Sequence, residues 1–151
     1  MAGFTTTLLT CLAQHLEDTG VANWHPEGVY ATTDPKPAIY LKAIPGTNSP
    51  DRAYALTYYD VDSDAGLSND IAGIQVRARG TKDPRVVDDL ADAVFDVLHG
   101  AEQLRLGPEA LPVVKVWRVS HTSIGQDANS RWETTSNFYL HVARTTPHRP
   151  D

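Results

Sequence analysis

Residues 71–100, IAGIQVRARGTKDPRVVDDLADAVFDVLHG, carry both principal structural periods within thirty positions. Ile74, Val76 and Ala78 alternate with Gln75, Arg77 and Arg79, the period-two pattern of a strand with one buried face. After Gly80 the period changes: Val87, Leu90, Ala91, Val94, Val97 and Leu98 recur at helical spacing and form one apolar stripe. Asp83 is a natural N-cap, Pro84 sits at the first helical position where its missing N–H costs nothing, and Gly100 suits the left-handed closing residue. The stretch therefore predicts a strand feeding a helix. Burying the stripe is worth roughly 1.5–3 kcal/mol per large side chain before entropy is subtracted, so the helix is expected to cover the sheet that its own strand joins.

The other face of that helix is not explained by folding. Asp88, Asp92 and Asp96 lie four apart with Asp89 beside them, and like charges at this spacing cost a helix about 0.2–0.5 kcal/mol per pair. Only Asp88 and Asp89 lie near enough to the N-terminal end to be favoured by the helix dipole. The row reads either as a solvated acidic face or as a surface aimed at a basic partner or lining a channel.

Outward from this centre the pattern is simpler. On the N-terminal side, Leu8, Leu9, Leu12, Ala13 and Leu16 predict an amphipathic helix over 5–17, with Thr5 or Thr6 as cap and Gly20 as stop. The segment VANWHPEGVYATTDPKP is too rich in breakers for a long element, leaving 29–31 as a short strand and Trp24 as an anchor. Strands over 37–42 and 53–59, separated by IPGTNSPDR, are expected to pair antiparallel. On the C-terminal side AEQLRLGPEALP reads as a connector, and the β-branched run over 113–119 as a central strand covered on both faces. The polar HTSIGQDANSRWETTS follows, and then a strand over 137–144. The last two strands are expected to form a long terminal β-hairpin whose arm carries Arg131 and Trp132, residue types enriched at binding hot spots. Trp132 tucked against its own sheet is the competing reading. TTPHRPD reads as a flexible tail over 145–151, leaving a single domain over 1–144.

Composition excludes several function classes. A chain of 151 residues, 41% hydrophobic and 21% charged, fits one globular domain without staples. Thirteen basic against 19 acidic residues, net −6, argue against a sequence-blind nucleic-acid binder or an anionic membrane surface. No apolar run approaches the ~20 residues of a membrane span, and the first residues lack a basic leader, so a soluble intracellular product is expected. The lone Cys11, inside an apolar helical pattern, reads as an inert buried thiol rather than a nucleophile.

Candidate chemistry is sparse. Asp60, Asp62 and Asp64 match the first ligand positions of a calcium loop, but the required glycine is Ala65 and the bidentate glutamate is Ile71. The six histidines show no HxxxH or HExxH spacing, although His121 and His141 are candidates to face each other across the terminal hairpin. There is no GxSxG, GxxxxGK[ST] or GxGxxG motif. No catalytic, metal or cofactor-binding residues are assigned.

AIYLKAIPGTNSPDRAYALTYYD, GIQVRARGTKDPRVVDDLADAVFDVLHG and DANSRWETTSNFYLHVAR, in this order, resemble the minor capsid and tail-terminator proteins of long-tailed bacteriophages and prophages. The resemblance implies an α+β fold, with two main helices on a mostly antiparallel sheet, assembled as a ring, typically hexameric, at the head-proximal end of the tail tube. It implies a virion location in the tail or neck after synthesis in the host cytoplasm. The implied partners are further copies of the chain, the tail tube protein and a head-completion or stopper protein; DNA passes through without sequence-specific binding, and no cofactor or membrane is involved. Such a ring stops tube polymerisation and offers a surface to the head. A head-to-tail ring needs two different complementary patches on each subunit. Arg77 with Arg79 and the row Asp88, Asp92, Asp96 are the candidates, the acidic row being alternatively a lumen lining that repels DNA. Arg131 and Trp132 are the candidate partner contacts of the arm. Another neck component such as a head-tail stopper, and a small cytoplasmic enzyme with a concave polar pocket, are the alternative readings.

Overall fold

The computed structural model describes residues 2–150. In chain order it contains α1 (Phe4–Asp18), β1 (Ala38–Leu41), β2 (Ala53–Ser63), β3 (Asn69–Arg79), α2 (Pro84–Leu98), β4 (Glu102–Leu106), β5 (Leu111–Gln126) and β6 (Trp132–Ala143). The strands form one six-stranded sheet in the order β1-β2-β3-β6-β5-β4.

The strand and helix read from residues 71–100 are β3 and α2. Asp83 caps α2 by accepting the Arg85 N–H, Pro84 opens it, and Gly100 takes φ +81° beyond its end. Val87, Leu90, Ala91, Val94 and Leu98 are buried. They join Leu8, Leu12 and Leu16 of α1 and the inward side chains Tyr54, Leu56, Ile74, Val76, Phe138, Leu140, Val113 and Val116 in a single core, so both helices cover the same face of the sheet. Two contacts set the distance of α2 from the sheet. The buried Tyr54 hydroxyl donates to the Leu90 carbonyl at 2.7 Å. Gly80 lets the helix approach so closely that a Cβ there would lie 2.7 Å from the Val87 nitrogen. α1 begins one residue earlier than expected, at Phe4, with Gly3 rather than Thr5 or Thr6 as N-cap and no side-chain cap.

The mostly antiparallel sheet expected is corrected to a mixed one, because β1 pairs with β2 parallel (Ala38↔Ala53 to Leu41↔Leu56). The loop 42–52 is long enough to carry the chain back to the starting end of β1. Arg79, at the end of β3, holds it there: its Nε donates to the Asp51 carbonyl (2.9 Å), Nη1 to the Pro45 carbonyl (2.8 Å), and Nη2 to the Ser49 hydroxyl (3.0 Å) and the Pro50 carbonyl (2.6 Å). With the crossover held in this way, β1 runs in the same direction as β2. Lys42 and Asn48 take positive φ within it.

Other departures have local causes. The connector after Gly100 contains the edge strand β4, with Leu106 fully buried, and ends at Gly107 (φ +66°), where a Cβ would lie 2.9 Å from the Cα of Cys11. β5 is therefore next to the edge, and Val114 and Val119, 39% and 44% exposed, are not covered on both faces. No strand forms at 29–31; Tyr30 is buried instead, accepting the His25 N–H and donating to the Ile39 carbonyl, while Trp24 packs against the core. The polar stretch 121–136 is largely paired backbone: β5 and β6 run antiparallel out to Gln126↔Trp132 and are joined through Asp127–Arg131.

Candidate functional site

The candidate residues fall into three sets. The first is the acidic face of α2: Asp88, Asp89, Asp92 and Asp96 are all exposed, and among the described residues no cation pairs with them. The helix dipole does not account for the row, and solvent alone meets Asp92 and Asp96 in the isolated chain.

The second set, the basic pair, is already engaged. The Arg77 Nε lies 2.6 Å from Glu133 on the neighbouring strand. Arg79 is 2% exposed and holds the crossover loop; burial, with Arg131 close by, pushes its pKa below the ordinary guanidinium value. Its donors point inward, so it offers no charge to a neighbour. Strand alternation correctly places Arg77 and Arg79 on the face opposite the helices, but the loop 42–52 covers that face at Arg79's end.

The third set, at the tip of the β5–β6 arm, is also internal. Arg131, 7% exposed, donates to Asp127 (2.8 Å), to Asp51 (3.2 Å) and to the Gly46 carbonyl (3.0 Å), fastening the turn onto the same crossover loop. Burial disfavours the Asp127 carboxylate, but the Arg131 and Asn129 N–H groups and the Arg131 guanidinium outweigh it, so its pKa falls below the usual range. Trp132 packs against the core and donates its Nε1–H to the Lys82 carbonyl. The exposed residues of the arm are 119–124, Gln126 and 128–130.

The remaining polar features are structural. Asp60 and Asp62 lie on β2 at a bulge, and Asp64 accepts the Gly66 and Leu67 N–H groups at 2.7 Å, making a turn of what resembled a calcium loop. His121 and His141 do not face each other: their partners in the β5–β6 register are Ser136 and Lys115. A polar hollow of about 650 Å³ is lined by Asp51, Thr81, Lys82, Asp83, Asn129, Ser130 and Arg131, with its guanidinium and two carboxylates already committed to Arg131–Asp51 and Arg85–Asp83 pairs. Cys11 is fully buried and donates to Glu109 at 3.0 Å; burial first, then Glu109, raises its pKa to about 11. No helix is long and apolar enough to cross a membrane among the described residues.

The family described as "Bacteriophage tail terminator protein" matches residues 15–144, from the second half of α1 through β6. The chain belongs to this family. Membership makes it a structural protein of the phage tail, in line with the resemblance carried by the sequence. Among solved structures, a chain of the "Virion of native gene transfer agent (GTA) particle" is similar in fold, with a TM-score of 0.54 and 17% identity over 70% of this chain and 78% of that one. No curated protein matches.

Proposed function

We propose that this chain is a subunit of the tail-terminator ring, seated on the head-proximal end of the tail tube, where it stops tube polymerisation and presents the surface that joins tail to head. Its proposed partners are further copies of itself in a hexameric ring, the tube protein below and a head-completion or stopper protein above. The observation that carries this reading is the family match across nearly the whole folded domain, 15–144.

In this reading the Asp88, Asp92, Asp96 face lines the passage for DNA. What supports this over a contact between subunits is that Arg79 is buried under the crossover loop and Arg77, though half-exposed, already pairs with Glu133. Unpaired carboxylates along a lumen repel phosphates and keep the genome from adhering during ejection. Arg131 and Trp132 hold the arm's tip together, leaving the exposed residues of the arm to meet a neighbour.

Light scattering across a concentration series, with negative-stain images of any large species, tests the ring. Closed hexamers support it, while a wild-type chain that stays monomeric up to millimolar concentration counts against it. Asp88→Lys with Asp92→Lys separates the roles of the acidic row: intact rings with impaired DNA delivery place it at the lumen, and loss of rings places it between subunits.

A further inference from the structure

We propose that the outer edges of β2 and β5 pair with each other between successive copies of this chain, so that the sheet continues from one subunit into the next. The proposal rests on the ring reading above and specifies where the ring contacts lie.

Each edge is half covered. β1 lies along β2 only from Ala53 to Leu56, and the Lys42 N–H takes the Leu56 carbonyl; Thr57–Ser63 then continues without an outer partner, and Asp60–Ser63 is exposed. On the other side β4 pairs with β5 only as far as Lys115. The Gly100 N–H and the Ala101 carbonyl serve Val116, and His99 Nδ1 accepts the Arg118 N–H. Beyond Arg118 the described residues supply no backbone partner to the outer edge, and Val119 and Ile124, each 44% exposed, stand beside it. A long unpaired edge with apolar side chains is a liability that folded proteins ordinarily blunt or cover.

Charge decides which edge meets which. β2 carries Asp60 and Asp62, with Asp64 following, and no lysine or arginine; β5 carries Lys115, Arg118 and His121 and no carboxylate. In the open stretches themselves β2 presents Asp60 and Asp62, whereas 119–126 of β5 presents His121 and no carboxylate, Lys115 and Arg118 lying before it beside Glu102 and Phe95. Pairing β2 with a second β2 would bring acids against acids, so head-to-tail contact is the one that charge favours. Centred on one another antiparallel, Thr57–Ser63 and Val119–Gln126 bring Asp62 and His121 within about a residue of each other in register.

Direction and stagger agree with a closed ring. The pairs β2–β3, β3–β6 and β6–β5 are all antiparallel, so β2 and β5 run oppositely, and a copy rotated about an axis lying broadly along the strands meets its neighbour antiparallel. The two open edges lie towards opposite ends of the sheet. Asp60 shares a row with Ala72, Leu140 and Val116, whereas Thr122, mid-way along the open part of β5, shares its row with Thr135, five residues along β6 from Leu140. Five residues at ~3.4 Å against four strand spacings of ~4.8 Å require a strand tilt of about 40°, within the roughly 35–45° at which closed sheets are built.

A charge-swap complementation tests the proposal, with sedimentation velocity and negative stain as readout. One variant carries Asp60→Lys and Asp62→Lys, the other His121→Asp and Ser123→Asp; all four sites are exposed, and urea midpoints near the wild-type value confirm folding. The expected result is rings from wild type, loss of rings from either variant alone, and their return on mixing, because in alternating subunits every contact is either lysine against aspartate or the wild-type pairing. Rings from each variant alone would overturn this interface and leave the ring reading standing, as would two folded variants that stay monomeric when mixed while wild type forms rings. A wild-type chain monomeric up to millimolar concentration would overturn the ring and the interface together.

Discussion

Replacing Arg79 by Met is expected to unseat the crossover loop and with it β1. The guanidinium donates four hydrogen bonds, to the carbonyls of Pro45, Pro50 and Asp51 and to the Ser49 hydroxyl, and Arg79 is 2% exposed. Hydrogen bonds to a charged group are worth about 1.5–3 kcal/mol each, but they are not additive, and water reaches part of the vacated loop. The expected loss is therefore about 3–5 kcal/mol, as three carbonyls and a hydroxyl are left short of a donor. Against a total stability of roughly 5–15 kcal/mol this is a large fraction, lowering Tm by on the order of 10 °C. Arg79→Lys keeps the charge but not the planar fork, and one ammonium cannot serve four spread acceptors, so about half the loss is expected to remain. Urea unfolding measures both values, and hydrogen exchange locates the damage: the amides paired in Ala38–Leu41 should lose protection before those of β3 and β6. A loss below about 1 kcal/mol for Arg79→Met, or unchanged protection in β1, would refute the idea that this side chain fixes the parallel pairing.

Gly80→Ala should cost about 1–3 kcal/mol in a urea titration, because its Cβ would sit 2.7 Å from the backbone nitrogen of Val87 and force α2 off the sheet; an unchanged midpoint would mean that the helix yields freely. Arg149→Met leaves the Asp70 carboxylate, now paired at 2.6 Å and 4% exposed, buried without its cation, and the expected destabilisation is about 3–5 kcal/mol. Cys11, with its pKa raised to about 11, should resist a thiol reagent at pH 8 until the protein unfolds, and rapid stoichiometric labelling of native protein would contradict its burial. Asp127 has a lowered pKa, so its contribution to stability is complete above its unfolded value near ~3.9 and is lost as pH falls through the lower folded value. Asp127→Asn should therefore flatten the fall in urea midpoint below about pH 4, and a parallel fall in variant and wild type would count against the Arg131 latch.

What could be read in the sequence was what local chemistry decides. Asp83 and Pro84 fix the start of α2 and Gly100 its end, and the apolar stripe names the buried face without help from the rest of the chain. The acidic row was legible for the same reason: residues opposite a strong stripe are exposed. The direction of β1 was not, because the crossover that reverses it is held by Arg79, about thirty residues further on, and a turn-rich segment of that length is compatible with either pairing. Alternation likewise gives the face on which Arg77 and Arg79 stand but not what lies over it, so both looked free when one is paired and the other buried. Arg131 read as a hot-spot residue from its type and loop setting; its partner Asp51 is eighty positions away. Of the tail read as flexible over 145–151, Arg149 is held by long-range contacts that its sequence neighbourhood does not show: its guanidinium meets Asp70 and the carbonyls of Asp64, Leu67 and Arg144. The open edges of β2 and β5 depend on strand order and on where β1 and β4 stop, which no local pattern encodes.

The most direct test of the terminator role is the length distribution of tail tubes assembled from the tail-tube protein of the same phage, measured by electron microscopy with and without this chain. Tubes of one length, each bearing a ring at a single end, are predicted when the chain is present, and tubes of indefinite length when it is absent. A length distribution that does not change on adding folded protein, with tube ends left bare, would contradict the account.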